Sequence, residues 1–396
     1  MDMPRLAALS ASIALVIGGR ALGLVPARPI GLAQDAAADV EAEVSAAARA
    51  AEAGDARAMY RYARILSDGR GTVRDEKRAF EWYARAAEAG EPRAMTAVGV
   101  MFANGIGVDR NPDDAVRWYR RAAEAGNTQG MVLLSDRLLT DAPAGGAASA
   151  AEGEREAARW LRTAAEAGDA DAALRLGRLH VDGRGVERSP KEAVRWLSVA
   201  AAMDEVVAME ELGALHEGAM AELRDLAKAG EWYARAAEKG SVRALTGLGS
   251  VALARGGAGG AVGKDVDEAV RLFTRAAELG DSAAMHRLGV LYDEGVLVER
   301  DREAAFRFLK RAADRGEGRA MGRVAEMYAE GVGTARNPLE AYFWAILAER
   351  SSAVRGDAVA RPAAETRAAE LGEALAEADR VETRARADAW RPGIAR

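Results

Sequence analysis

The sequence predicts an all-α chain of about eight stacked helix-turn-helix units with a helical cap at each end. Three observations carry that expectation. The first is a period. Ala-Ala pairs begin at Ala50, Ala86, Ala122, Ala164, Ala200, Ala236, Ala276 and Ala312, at intervals of 36, 36, 42, 36, 36, 40 and 36 residues. Self-similarity at a fixed spacing in this range marks stacked supersecondary units, each too small to bury its apolar face alone. The second is helical periodicity within each unit. Ala94, Met95, Val98, Gly99, Met101 and Phe102 share one face of a helix, and Ala284, Met285, Leu288, Gly289, Leu291 and Tyr292 repeat the pattern. The third is punctuation. Four residues before the first core alanine of the second helix stand Asp75, Asn111, Ser189, Asp225, Asp265, Asp301 and Asn337. Their side chains can accept an unpaired first-turn N–H. Pro112, Pro190 and Pro338 then take the first helical position, where the missing N–H costs nothing.

Bulk properties fit this reading. The 396 residues are 49% hydrophobic and 29% charged, which suits a folded chain. A net charge of −6 leaves no basic footprint for nucleic acid. Cysteine is absent, which excludes disulfides, zinc–thiolate sites, a cysteine nucleophile and a lipid-modified N-terminal cysteine.

Along the chain, residues 1–33 read as an export signal. Arg5 supplies positive charge and Leu6–Gly19 is an uncharged run too short for a typical membrane span. Small residues at Gly31-Leu32-Ala33 allow a cut before Gln34, and Ala21-Leu22-Gly23 offers an alternative. The competing readings are an apolar core helix and, if uncleaved, a membrane anchor. Residues 34–54 read as an N-terminal capping helix. Eight units follow at 55–90, 91–126, 127–168, 169–204, 205–240, 241–280, 281–316 and 317–352. In each, a first helix (A) leads through a loop to a second (B).

One large side chain per B helix recurs in register: Trp82, Trp118, Trp160, Trp196, Trp232, Leu272, Phe308 and Trp344. These are expected in the core. Helix B usually stops at a glycine such as Gly90 or Gly126, which suits the left-handed position after a helix. Met203-Asp204 breaks that rule. Insertions at 142–153 and 256–263 are expected as solvated loops. Residues 353–396 are expected to form two further helices, placed at 358–378 and 379–390, with Leu371, Leu375 and Trp390 covering the last unit.

The unit resembles the Sel1-like repeat, a relative of the tetratricopeptide repeat. Asn104-Gly105-Ile106-Gly107-Val108, Trp118-Tyr119 and Ala122–Gly126 carry the likeness. Gly69-Arg70-Gly71, Gly183-Arg184-Gly185-Val186 and Gly331-Val332-Gly333 repeat the loop. The closing 387–392 resembles the C-terminal cap of exported bacterial members. The fifth unit departs at His216-Glu217-Gly218-Ala219 and the sixth at Val251-Ala252-Leu253, so both are expected to pack less tightly. The resemblance implies a right-handed α/α superhelical solenoid and a role in protein assembly or signalling. A cysteine-rich branch of the family is linked with β-lactam binding or hydrolysis, and a chain without cysteine matches it poorly.

Little chemistry is visible. His180 and His216 lie 36 residues apart with no third metal ligand at a fitting spacing, and His286 is expected to be exposed on helix A. No phosphate-binding loop or nucleophile–base motif occurs. No catalytic, cofactor or metal site is therefore assigned. The candidate partner-binding residues are the variable A-helix positions Tyr60, Arg61, Arg64, Arg175, Arg178, Glu210, Glu211, Arg287 and Arg323. If helix A lines a concave face, they form a groove with basic ends and an acidic middle, suited to an acidic protein segment. The expected function is a non-catalytic protein-interaction adaptor, periplasmic or secreted, that binds no nucleic acid. Once its signal is cleaved it has no stable membrane insertion. A β-lactamase-like hydrolase and a membrane-held scaffold are the alternatives.

Overall fold

The computed structural model describes residues 30–140, 146–257, 262–355 and 360–393. The described residues form nineteen α-helices and no strand. After α1 (Ile30–Glu52) come eight A/B pairs. They are α2 (Ala56–Asp68) with α3 (Glu76–Glu88), α4 (Pro92–Asn104) with α5 (Pro112–Glu124), and α6 (Thr128–Thr140) with α7 (Gly146–Glu166). Next are α8 (Ala170–Asp182) with α9 (Pro190–Ala202), α10 (Val206–Ala214) with α11 (Leu226–Glu238), and α12 (Val242–Gly257) with α13 (Val262–Glu278). The last pairs are α14 (Ser282–Glu294) with α15 (Arg302–Asp314) and α16 (Gly318–Glu330) with α17 (Pro338–Arg355). Two helices follow, α18 (Ala360–Glu373) and α19 (Glu377–Ala389). The export-signal expectation falls largely on residues outside the described ones; Ile30–Ala33 belong to α1.

The chain divides into two compact units, residues 1–115 and 116–396. In the first, α1 packs beside α2, with Val40 and Val44 of α1 against Gly71 in the loop between α2 and α3. Phe80 meets Phe102 edge-on at 5.3 Å. The Asp75 side chain accepts the Arg78 N–H at 2.9 Å, and the Asp75 N–H closes the loop on the Leu66 carbonyl at 2.9 Å.

The second unit repeats the same devices. N–H groups of Ser189, Asp225, Asp301 and Asn337 donate to carbonyls of His180, His216, Tyr292 and Tyr328, at 2.8–3.0 Å. Each bond ties the start of a B helix to the end of its A helix. The second loop glycine then ties one repeat to the previous one. A Cβ on Gly185 would overlap the backbone carbonyl of Glu154 in α7, and one on Gly333 would overlap that of Arg302 in α15. Both glycines also have positive φ, 68° and 67°, so two independent constraints select the smallest residue.

Several expectations are corrected. Asp265 lies inside α13 and is no cap, because the helix begins at Val262. Residues 146–153 are helical, so most of the third-repeat insertion lengthens α7; Ala142 to Gly145 lie outside the described residues. In the sixth repeat α12 runs to Gly257 and α13 starts at Val262, and 258–261 lie outside the described residues.

The innermost B-helix position is one residue later than expected. Tyr83, Tyr119, Leu161, Leu197, Tyr233, Phe273 and Leu309 are buried. Among the named ladder only Trp196 and Trp344 are buried, and the others are half-buried. In three of these an arginine covers the ring face instead. Arg85, Arg121 and Arg235 lie over Trp82, Trp118 and Trp232 at 4.7, 4.1 and 4.5 Å, one helical turn on.

The fifth and sixth repeats are not loose. A π-turn at Leu215–Ala219 replaces the glycine loop, and Met220 is buried beneath it. Tyr233 donates its hydroxyl to Glu217 at 2.8 Å, and His216 Nδ1 donates to the Leu223 carbonyl at 2.9 Å. In the sixth, Gly247 and Gly249 press directly on the rings of Tyr233 and Phe273. At the C-terminal end α17 is buried all round over residues 341–348, where α18 and α19 pack on it. Trp390 meets Trp344 edge-on at 6.2 Å and Arg384 donates to the Tyr342 hydroxyl at 2.9 Å.

Candidate functional site

The nine candidate residues sit on A helices, at positions whose side chains leave the core. Tyr60, Arg61 and Arg64 belong to the first compact unit and the other six to the second. Tyr60 is half-buried with its ring 5.5 Å from that of Tyr83, and Arg64 faces Asp68 at 3.9 Å. Arg61 is exposed.

In the second unit most of the candidate charges are engaged by adjacent repeats. Arg175 of α8 pairs with Asp136 of α6 and, at 2.8 Å, with Asp171. Arg178 donates its Nε to Glu211 of α10 at 2.7 Å. Glu210 accepts from Ser241 at 2.6 Å and faces Arg243 at 3.5 Å, both at the start of the next repeat. Arg323 of α16 pairs with Asp293 of α14 and with Glu326. These pairs join one A helix to the next and neutralise each other locally. Arg287 differs. Among the described residues it makes no ion pair with a carboxylate.

Arg287 stands on the rim of a cleft of about 1040 Å³ bounded by α14, α16, α17 and α18. Its floor is apolar and built from short side chains, including Val290, Leu291, Ala325, Ala345 and Ala348. The space exists because small residues recur where the helices face one another. Gly322, at mid-helix in α16, would meet nothing within 4 Å if it carried a Cβ. That contrasts with the loop glycines, which are small because backbone presses on them. Arg319, Arg367, Glu294, Glu317 and Glu326 bring charge to the rim.

His286 lines the same cleft and is half-buried, not exposed as the sequence suggested. Burial pushes its imidazole below the ordinary histidine range. Glu317 pulls it up, and Arg319 and Arg287 push it down. The ring is therefore neutral near pH 7 and leaves the arginines as the local positive charge. His180 and His216 serve as loop fasteners. Each is buried and donates Nδ1 to a backbone carbonyl, Glu187 at 3.1 Å and Leu223 at 2.9 Å. Among the described residues no group of three or more His, Asp or Glu is arranged to hold a metal. Among them, too, no helix is long and apolar enough to cross a membrane.

The cleft itself went unseen in the sequence, although a signal was present. Gly318, Gly322 and Ala325, with Ala345 and Ala348 opposite, put unusually little bulk into the eighth repeat.

The Sel1 repeat family model matches residues 56–91, 92–127, 152–169, 170–205, 206–241, 242–281, 282–317 and 318–351. The third match covers only α7, yet α6 is a regular helix whose start is capped by Asn127, which accepts from Gly130 at 2.7 Å. No curated protein matches the sequence. Among solved structures the chain is similar to a protective antigen present in uropathogenic Escherichia coli strains. That likeness has a TM-score of 0.65 and 24% identity, over 90% of this chain and 76% of that one. It is also similar to a Sel1 repeat protein from Oxalobacter formigenes, at a TM-score of 0.62 and 24% identity, over 89% and 98% of the two chains. At that identity these likenesses speak to the fold. Eight matched segments, an all-helical architecture and the shared loop geometry agree, and the chain belongs to the Sel1 repeat family.

Proposed function

We propose that this chain is a non-catalytic scaffold of the cell envelope that binds segments of other proteins on the exposed side of its A helices. Repeats of the Sel1 and tetratricopeptide-like kind are generally protein-interaction scaffolds. The carrying observation is the open cleft among α14, α16, α17 and α18, whose apolar floor and charged rim suit a peptide segment. Tyr60, Arg61 and Arg64 in the first unit, and Arg175, Arg178, Glu210, Glu211, Arg287 and Arg323 in the second, are the proposed contact residues. Arg61 and Arg287 rank first, because among the described residues neither makes an ion pair with a carboxylate.

Export rests on the Leu6–Gly19 run. N-terminal sequencing of the mature protein is expected to start between Leu24 and Ala36; a start at Met1 would favour the membrane-held form. The function is tested by affinity capture from envelope extract with mass spectrometry. Specific partners are expected, and reversing Arg61, Arg64, Arg175 and Arg178 to Glu should reduce their recovery with helicity unchanged. Turnover of a β-lactam by the pure chain would overturn the non-catalytic reading.

A further inference from the structure

Resting on the scaffold reading, we propose that the cleft of the last two repeats receives a short acidic peptide segment. A carboxylate of that segment is held by Arg287 and Arg319, and a small apolar side chain rests on the floor at Val290 and Ala345.

The charges at the rim sort by whether they are already satisfied. Glu326 takes Arg323, and Arg367 reaches Glu370 at 3.3 Å. Glu317 has an interaction of its own. Among the described residues Arg287 and Arg319 make no ion pair with a carboxylate, and both are exposed. Two uncompensated guanidiniums above an apolar floor are complementary to an anion joined to an apolar group. Arginine also suits a carboxylate by geometry, since its planar fork can donate two parallel N–H groups.

The cleft is polarised along the helices. Arg287 and Arg319 lie in the N-terminal halves of α14 and α16, and the exposed Glu294 lies at the C-terminal end of α14. Of the rim carboxylates Glu294 is exposed, whereas Glu317 and Glu326 are half-buried, so the segment's carboxylate is favoured away from Glu294. The cleft's volume of about 1040 Å³ stands at the top of the ~300–1,000 Å³ range of small-molecule sites, which gives room for several residues of extended chain. The net charge of −6 sets the scale of the partner. A long polyanion is repelled by the chain as a whole, and a short acidic stretch feels mainly the two near arginines within a Debye length of roughly 8–10 Å.

The test uses the full chain and fluorescence anisotropy. The probe is fluorescein-labelled Ala-Leu-Ala-Ala-Asp-Glu-Asp, and the control peptide carries Asn and Gln in place of the acids. The acidic probe is expected to bind at least tenfold tighter than the control, and to weaken as salt rises. Combined Arg287→Glu and Arg319→Glu should cost at least tenfold in affinity with an unchanged circular dichroism spectrum. Gly322→Leu fills open space and removes a helix-weakening glycine, so it should fold normally and block the same probe. Equal binding of the two peptides, or binding unaffected by both variants, would overturn the proposal. So would a dimer dissociated by Gly322→Leu, which would make a second copy the occupant. Failure of the wild-type chain to bind the probe, with envelope capture retained, sinks the cleft proposal alone; absence of any captured partner sinks the scaffold reading.

Discussion

The fourth and seventh repeats carry arginine at the same place on their A helices and use it differently. Arg175 is tied to Asp136 of the repeat before it. Arg287 stands at the corresponding position, and the repeat before it offers Ser250 where Asp136 would be. The Ser250 hydroxyl donates to the Thr246 carbonyl at 3.0 Å and offers Arg287 no charge. Two differences, Asp136 against Ser250 and Asp171 against Ala283, thus decide whether an A-helix arginine is held by carboxylates or stays available to a partner. In repeat proteins the residue that defines a binding position is often in the neighbouring unit.

The comparison is broken most strongly at the core. Trp196 in repeat four is 4% exposed, and Trp196→Ala is expected to cost about 3–5 kcal/mol. Phe308 at the same place in repeat seven is half-buried, so Phe308→Ala should cost clearly less. Urea titrations of both variants check the order, and equal costs would refute it. Next is the loop. Repeat seven has Leu297 where repeat four has Gly185. Gly185→Leu would drive a side chain into the Glu154 carbonyl and should cost roughly 2–4 kcal/mol. An unchanged unfolding midpoint would show that the loop can move aside.

Smaller effects separate paired from unpaired arginine. The Arg178 and Glu211 side chains are 47% and 24% exposed, so solvent screening limits their coupling to about 0.5–1 kcal/mol in a double-mutant cycle. Arg287→Ala should leave stability unchanged within about 0.5 kcal/mol. A larger loss there would mean that Arg287 is structural.

The smallest effect is a pH dependence. Repeat four has Leu174 where repeat seven has His286. Burial lowers the His286 pKa, Glu317 opposes this, and Arg319 and Arg287 add to it. The unfolded chain therefore binds the proton first as pH falls. The stability from neutral His286 is complete above the ordinary histidine range near pH 6.5 and is lost as pH drops through the lowered folded value. His286→Leu should flatten the fall in Tm between pH 7 and pH 5 relative to wild type. An identical slope would remove His286 as a contributor.

The period, the caps and the helix pairs were legible because each is set by residues near in sequence. Asn111 accepts from Asp113 and Asp114 within its own first turn, at 3.2 Å in both cases. The inward face of helix B was misplaced by one residue. Trp118 and Tyr119 are both apolar, and only the neighbouring helices choose between them. Asp265 read as a cap because its type fits, but the helix nucleates earlier at Val262. The cleft and the spent charges were illegible for a different reason. Arg175 and Asp136 are 39 residues apart, so their meeting depends on how one repeat is laid on the next.

The seventh-repeat loop also sets how the chain yields under tension. Where Gly185 or Gly333 sits against a backbone carbonyl of the preceding B helix, adjoining repeats are clasped and must part together. Leu297 instead lines the cleft, and Val296 beside it is 80% exposed. The junction between the sixth and seventh repeats lacks that clasp. The loop of the fifth repeat, where a π-turn replaces the glycines, lacks it as well. Stretched within its second unit, the chain should rip first at an unclasped junction, and rupture at the sixth–seventh one releases the last two repeats and the closing helices as one block. In an optical trap a step with the contour length of that block would mark rupture at this junction, and Leu297→Gly would raise the force at which it occurs.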